Sequence, residues 1–178
     1  MGSGALGLSI MSNPLAIHAA YKKGDVDALR AELGNPPDFP NSCGPRGIGE
    51  IVLEYAIYHS PLEFIRRLLE LGAEPNYEDH AGFPCIIAAL SSERPDKLEI
   101  IELLLSFGAD LQQVGFNGYT PLHHAAATND IKSIDFLMSK GADPQARTKV
   151  DDFATPLEEA EILGVTDAIQ ALQRWQSG

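Results

Sequence analysis

The chain of 178 residues is long enough for one ordinary domain or for about five short repeating units, and its hydrophobic content of 44% is typical of a globular protein. A formal net charge of −12 argues against a nucleic-acid-binding surface, because affinity for nucleic acids depends mainly on Lys and Arg side chains that neutralise phosphates. No stretch approaches the roughly 18 apolar residues that a membrane helix needs. From the charge and from this absence together, neither nucleic acid nor a membrane is an expected partner.

Cysteine usage favours a cytoplasmic protein, and the charge distribution favours a well-solvated surface. Cys43 and Cys85 have no metal-ligand spacing and give no disulfide framework, which fits a reducing compartment. Cys85 is expected to be a small core residue, and Cys43 is expected to be a thiol in a Pro- and Gly-rich loop. The negative charge is spread along the chain and predicts a well-solvated surface, with attraction of a partner that has a basic surface as the alternative.

Internal self-similarity organises the chain from its first residues onward. Residues 1–11 contain no basic residue and are short for a secretory signal, so we expect a flexible N-terminal extension. Residues 12–176 are predicted to form a single domain, because the ending Leu71-Gly72-Ala73-Glu74 returns as Phe107-Gly108-Ala109-Asp110 and as Lys140-Gly141-Ala142-Asp143. A period of roughly 33 residues indicates a solenoid of stacked units. The five units are 12–34, 48–72, 82–108, 118–141 and 154–176, and an irregular loop of unknown role spans 35–47.

Each unit is predicted to form two short antiparallel helices. In the second unit Pro61 begins the second helix, which ends near Gly72. The third unit has extra residues around 91–95, and Asp96 followed by Glu99 predicts a capping box at the start of its second helix.

The fourth unit is the most regular. Thr120 is the expected N-cap of its first helix, and Pro121 stands in the first turn, where a missing N–H is harmless. Asn129-Asp130 separates the two helices, and Gly141 supplies the left-handed residue that ends the second one.

Three loops between the later units, 74–83, 110–119 and 143–154, are predicted to be hairpin-like fingers at right angles to the helices. Turn signals such as Asn117-Gly118 support this prediction. Phe116, Tyr119 and Phe153 lie on the fingers, where few core neighbours are expected, and aromatic side chains are common anchors at protein interfaces. Packing of one aromatic residue against the adjacent finger is the alternative.

The fourth unit resembles the ankyrin repeat family. Thr120-Pro121-Leu122-His123, followed by Ala125-Ala126, matches the family's signature, and the Gly-Ala-Asp or Gly-Ala-Glu endings match its repeat terminus. The resemblance covers residues 12–176 and implies an all-α ankyrin-repeat solenoid with the first and last units as caps. Departures include Val52-Leu53 in place of Pro-Leu, and Glu158 at the position of the signature His.

The resemblance implies binding of another protein, because members of the family generally use finger tips and first helices to line a concave groove. From the fingers it implies contacts by Tyr77, Asp79, His80, Gln113, Phe116, Asn117, Tyr119, Lys149, Asp151, Asp152 and Phe153. From the ends of the first helices it adds Tyr58, His59, Ser91, Ser92 and Thr128.

Catalysis, cofactor binding and metal binding are not expected. His123 and His124 are adjacent, and neighbouring helix residues point about 100° apart, so they cannot easily share one ion. By the resemblance His123 is structural, with its imidazole bonded to the backbone of a neighbouring loop. No Gly-rich phosphate loop, nucleophile elbow or Cys/His cluster is present in the sequence.

The predicted function is therefore a monomeric, non-catalytic protein-interaction module. One alternative is an inhibitor or immunity-type protein that occludes the active site of a partner enzyme, which the small size and negative charge suggest. The other is an enzyme or metal-dependent protein, which metal analysis and a hydrolase screen would test.

Overall fold

The computed structural model describes residues 13–41, 51–76, 84–149 and 153–177. Every secondary-structure element assigned within those ranges is a helix. The predicted all-α solenoid is confirmed. The helices come in antiparallel pairs, which are α1 (Pro14–Lys23) with α2 (Val26–Glu32), α3 (Val52–His59) with α4 (Leu62–Glu70), α5 (Cys85–Ser91) with α6 (Lys97–Ser106), α7 (Pro121–Ala127) with α8 (Ile131–Ser139), and α9 (Pro156–Leu163) with α10 (Thr166–Ser177). No helix in these ranges combines the length and the apolar character required to cross a bilayer.

The pairs stack in series. The first helices contact one another in the order α1, α3, α5, α7, α9, and the second helices contact along α2, α4 and α6 and again between α8 and α10. Between the two layers runs one continuous apolar core, to which each pair contributes fully buried side chains such as Leu29, Leu53, Ile101, Leu137 and Leu172. Burial in this core stabilises each unit only together with its neighbours.

Small residues let the first helices approach closely. Ala56, Ala88, Ala125 and Ala160 occupy equivalent positions in successive units and have no exposed surface. Cys85 is likewise fully buried at the start of α5, which confirms its expected place in the core, whereas Cys43 lies outside the described residues.

The predicted helix ends of the fourth unit are confirmed. Thr120 caps α7 in a capping box, in which its hydroxyl accepts from the backbone N–H of His123 and the His123 ring faces the backbone N–H of Thr120. Asp130 accepts from the N–H of Ser133 at the start of α8, and Gly141 takes the left-handed conformation with φ of 90°.

The predicted capping box at Asp96 and Glu99 is wrong. Asp96 precedes α6, but its side chain makes no capping bond there. Its carboxylate instead accepts from Arg94, with Nε to Oδ1 at 2.8 Å and Nη2 to Oδ2 at 2.6 Å. The guanidinium holds both carboxylate oxygens and also holds the pKa of Asp96 below its usual range, because the charged form is stabilised.

Side-chain amides join the ends of successive units. Asn76 donates to the carbonyl of Gly108 at 2.7 Å and accepts from the N–H of Asp110 at 2.6 Å. Asn41 and Gln112 make the same pair of bonds to the units that follow them. This ladder satisfies backbone groups at helix ends that would otherwise lack partners, and it fixes the stacking register.

Candidate protein-binding surface

The tip of the second finger is a tight, internally bonded turn. The N–H of Gly115 donates to the carbonyl of Tyr119 at 2.7 Å, and Asn117 and Gly118 have positive φ of 59° and 77°. The N–H of Lys149 on the third finger donates to the carbonyl of Asn117 at 2.9 Å. A Cβ on Gly118 would lie 2.8 Å from the backbone nitrogen of Lys149, so only glycine permits this approach. The two fingers therefore brace each other.

Phe116 and Tyr119 at this tip have different environments. The Phe116 side chain is 78% exposed, although it is apolar. Tyr119 is half-buried, with its ring 5.4 Å from the ring of His123 and its hydroxyl donating to the carboxylate of Glu159. Phe116 is thus available for contact, whereas Tyr119 also links the finger to α9.

A cavity of about 200 Å³ lies beside Phe116. It is lined by Ile87 of α5, His124 of α7, and Phe116, Asn117 and Tyr119 of the finger. The structure therefore brings three of the sequence-predicted contact residues together around one small cavity, which has both apolar and polar lining residues.

The third finger presents a second exposed aromatic residue. Phe153 is 60% exposed and has φ of 49°, and its carbonyl accepts from Arg147 at 2.7 Å. Arg147 also pairs with the carboxylate of Glu158 at 2.8 Å. Lys149 is exposed on the same finger. Gln113, at the base of the second finger, is half-buried.

The C-terminal end of α3 forms a cluster of rings. His59 lies 4.3 Å from the Tyr55 ring and 5.3 Å from the His18 ring, centroid to centroid, and Tyr58 flanks it at 6.1 Å. Nδ1 of His18 is 2.7 Å from the Tyr55 hydroxyl, so His18 joins the first two units as a structural residue. Tyr58 and His59 are half-buried.

Burial is the main cause that lowers the pKa of His59, and the positive fields of His18, Lys22 and Arg94 act in the same direction. The neutral ring is therefore favoured at this end of the chain.

The remaining first-helix ends are only partly accessible. Ser91 and Thr128 are exposed, and their hydroxyls donate back to Ile87 at 2.8 Å and to His124 at 2.8 Å. Ser92 is 95% buried and its hydroxyl donates to the carbonyl of Ala89 at 2.6 Å. This burial argues against Ser92 as a contact residue, because little of its side chain is accessible to a partner.

His123 has the structural role that was predicted for it. It has no exposed surface, its Nδ1 lies 2.8 Å from the Thr120 hydroxyl, and its Nε2 lies 2.9 Å from the carbonyl of Ala154 on the third finger. Burial lowers its pKa, although the bond to Ala154 and the charge of Glu159 oppose that shift. No group of three or more His, Cys, Asp or Glu residues within the described ranges is arranged to hold a metal ion.

Five predicted contact residues fall outside the described parts of the chain, namely Tyr77, Asp79, His80, Asp151 and Asp152. Sequence reasoning missed two residues that line the cavity, Ile87 and His124. Each follows the Pro of its unit, Pro84 or Pro121, by three residues, and that shared spacing is the signal that could have identified them.

Comparison with known proteins gives a family. A family model described as ankyrin repeats (3 copies) matches residues 53–148. The chain is 31% identical over 129 residues to the Arabidopsis thaliana protein named "Putative E3 ubiquitin-protein ligase XBAT35", a match that covers 71% of this chain and 27% of that protein. It is 27% identical to an "Intracellular phospholipase A2" of Caenorhabditis elegans, over 86% of this chain and 15% of that protein. The human "Ankyrin repeat and SOCS box protein 6" is 32% identical, over 56% of this chain and 25% of that protein.

The matches thus span a quarter or less of most of these relatives, and 27% of the plant protein. The two enzyme names describe proteins several times longer than the matched segment.

Proposed function

Because the chain belongs to the ankyrin repeat family, whose repeats are in general protein-interaction modules, we propose that it binds another protein through a concave face formed by its finger tips and first helices. The proposed role is non-catalytic. The contact residues that we propose within the described ranges are Tyr58, His59, Ser91, Gln113, Phe116, Asn117, Tyr119, Thr128, Lys149 and Phe153.

Phe116 is the observation on which the proposal chiefly depends. An aromatic side chain that is 78% exposed, beside a cavity of about 200 Å³, leaves apolar surface in water that a partner could cover. Aromatic side chains, Phe included, are enriched at the cores of protein interfaces, because they bury much area around a rigid ring.

Bracing of the fingers also supports the proposal. The bond from Lys149 to Asn117 and the Tyr119–Glu159 contact fix the tip before any partner arrives. A fixed loop loses little conformational entropy on docking, so that a modest contact area can suffice.

The partner is proposed to have a basic surface. The net charge of −12 favours long-range attraction of positive groups, and this attraction weakens as salt is added. We further propose that the chain acts as a monomer in the cytoplasm.

Affinity capture from extracts of the source cell tests the proposal. The bait is the full chain, and the test variant is Phe116→Ala, which we expect to weaken binding of the captured protein about tenfold or more, as for an aromatic hot spot. Phe107→Ala is the matched control, because Phe107 is also exposed but ends the second helix α6.

Equal capture by both variants would refute the finger-tip surface. If the captured partner is an enzyme that loses its activity in the complex, the inhibitor alternative holds.

A further inference from the structure

The link between α5 and α6 is longer than the others. It comprises residues 92–96, whereas two residues separate α1 from α2, α3 from α4 and α9 from α10, and three separate α7 from α8. The extra residues of the third unit are therefore concentrated in this link, at the ends of the helices away from the fingers.

Arg94 fastens the link to the preceding unit. Its Nη1 donates to the carbonyl of Ile57 at 3.3 Å and also to the carbonyl of Ser60, and its other nitrogens hold the carboxylate of Asp96. The guanidinium is largely buried, with 19% of the side chain exposed. The link thus has a fixed position against the end of α3.

The opposite side of the same link forms one wall of a cleft. A cavity of about 600 Å³ lies between the third and fourth units, and its lining includes Ser91, Glu93, Lys97, His124 and Asp130. Lys97 is already paired with Asp130 across the cleft. Glu93 is exposed and forms no ion pair within the described ranges, so the cleft has one negative charge in excess.

His124 connects this cleft with the cavity beside Phe116, because it lines both. Its Nε2 lies 3.3 Å from the hydroxyl of Ser91, which bridges α7 and α5 at this point. Burial, together with the field of Lys97, lowers the pKa of His124 against the opposing field of Asp130, so the neutral form of the ring is favoured. The groove formed by these two cavities has the exposed Phe116 ring at its finger end and the carboxylate of Glu93 at its link end.

We infer that this groove receives a partner segment that places an apolar side chain beside Phe116 and a Lys or Arg side chain beside Glu93. The inference rests on the proposed function and adds the chemistry of the partner. Ile87 and Ser91 are one helical turn apart, about 6 Å, and Glu93 follows Ser91 by two residues, so the span from Ile87 to Glu93 is at most roughly 13 Å, which about four residues of an extended segment cover. The pattern expected in the partner is therefore an apolar residue with a basic residue two to four positions away, by the same estimate.

An acidic segment is the less suitable occupant. Lys97, the only lysine among the described residues that line the cleft, is already paired, and an incoming carboxylate would meet Glu93 without compensation.

Peptide selection tests the inference directly. Random twelve-residue peptides displayed on phage are selected on the full chain at low salt, and enriched sequences should combine the apolar and basic residues at the stated spacing. A synthetic peptide of that sequence is then titrated against the variants. Glu93→Gln should weaken binding about two- to fivefold, as for a partly exposed charge pair, and added salt should remove the difference.

The matched control is Glu99→Gln, which removes the same charge from an exposed position of α6 that lines neither cavity. It should leave binding unchanged. Selection on Glu93→Lys should replace the basic residue of the enriched peptides by Asp or Glu, and this exchange would establish contact with residue 93.

Several results would overturn the inference. Peptides whose binding requires Phe116 but shows no basic preference would refute it and leave the proposed function intact. Peptides that bind the Phe116→Ala and Glu93→Gln variants as tightly as the unsubstituted chain would count against both the inference and the proposed function. A failure to enrich any peptide, together with self-association that Phe116→Ala abolishes, would assign the groove to a second copy of the chain and would also refute the inference.

Discussion

Replacement of Arg94 by alanine should destabilise the fold more than any single surface ion pair would. Arg94 is the one residue of the long link that bonds to the preceding unit through its side chain, at the carbonyls of Ile57 and Ser60. Ser60 is fully enclosed, so its carbonyl has limited access to water once the guanidinium is gone.

The magnitude follows from the kind of bond that is lost. A hydrogen bond to a charged group contributes about 1.5–3 kcal/mol, and the partial exposure of Arg94 lets water recover part of this, so the two carbonyl bonds together should contribute about 2 kcal/mol. The partly exposed pair with Asp96 adds about 0.5–1 kcal/mol. Arg94→Ala should therefore lower the free energy of unfolding by about 3 kcal/mol, which for a chain of this length corresponds to a decrease in Tm of roughly 6–12 °C.

Urea unfolding followed by circular dichroism measures this difference. Arg67→Ala is the control, because Arg67 pairs with Glu70 at 3.3 Å in an exposed position on α4 and should contribute about 0.5 kcal/mol or less. If the free energies of unfolding of Arg94→Ala and of the control differ by less than about 0.5 kcal/mol, which is the expected surface contribution, the bonds of Arg94 to Ile57 and Ser60 do not stabilise the fold as proposed.

Two further predictions concern the amide bonds between units and the pH dependence of stability. Asn76→Ala removes the bonds to Gly108 and Asp110 and should cost about 1 kcal/mol, with faster amide exchange at Asp110 as the local sign; unchanged exchange would contradict the ladder. The pKa values of His123 and His124 are lowered in the folded chain, so the unfolded chain binds protons first as pH falls. The free energy of unfolding should therefore decrease between about pH 7 and pH 5.5, and His123→Gln should flatten that profile, whereas equal slopes would contradict it.

Local signals in the sequence were sufficient for the repeating parts of the fold. Thr120 precedes a proline and an apolar run, and it caps α7 as predicted, because capping depends on residues within one turn. His123 was also placed correctly, with its ring on the backbone of the next finger. In that case the assignment came from the family signature, since the distance of 31 residues to Ala154 has no local signal.

Contacts between units were beyond local reasoning. Asp96 and Glu99 have the spacing of a capping box, yet the carboxylate of Asp96 turns to Arg94, which itself is placed by two carbonyls of another unit. Ser92 shows the same limit, because nothing in the local sequence distinguishes this buried serine from the exposed Ser91 beside it. The partners and the burial of such side chains are set by a neighbouring unit, so they cannot be predicted from the local sequence.

The long link can be ordered without any partner, and the charge of Glu93 is not needed for that order. Lengthening a link from two to five residues costs only about 0.8 kcal/mol of loop entropy, since that cost rises with the logarithm of length. The bonds of Arg94 offset it more than threefold by the estimate of about 3 kcal/mol above. Arg94 and Asp96 therefore stabilise the link, whereas the charge of Glu93 is not required for its stability. Glu93 lines the cleft instead. A neutral residue at position 93 should fold equally well, and the effect of Glu93→Gln should therefore fall on binding and not on unfolding.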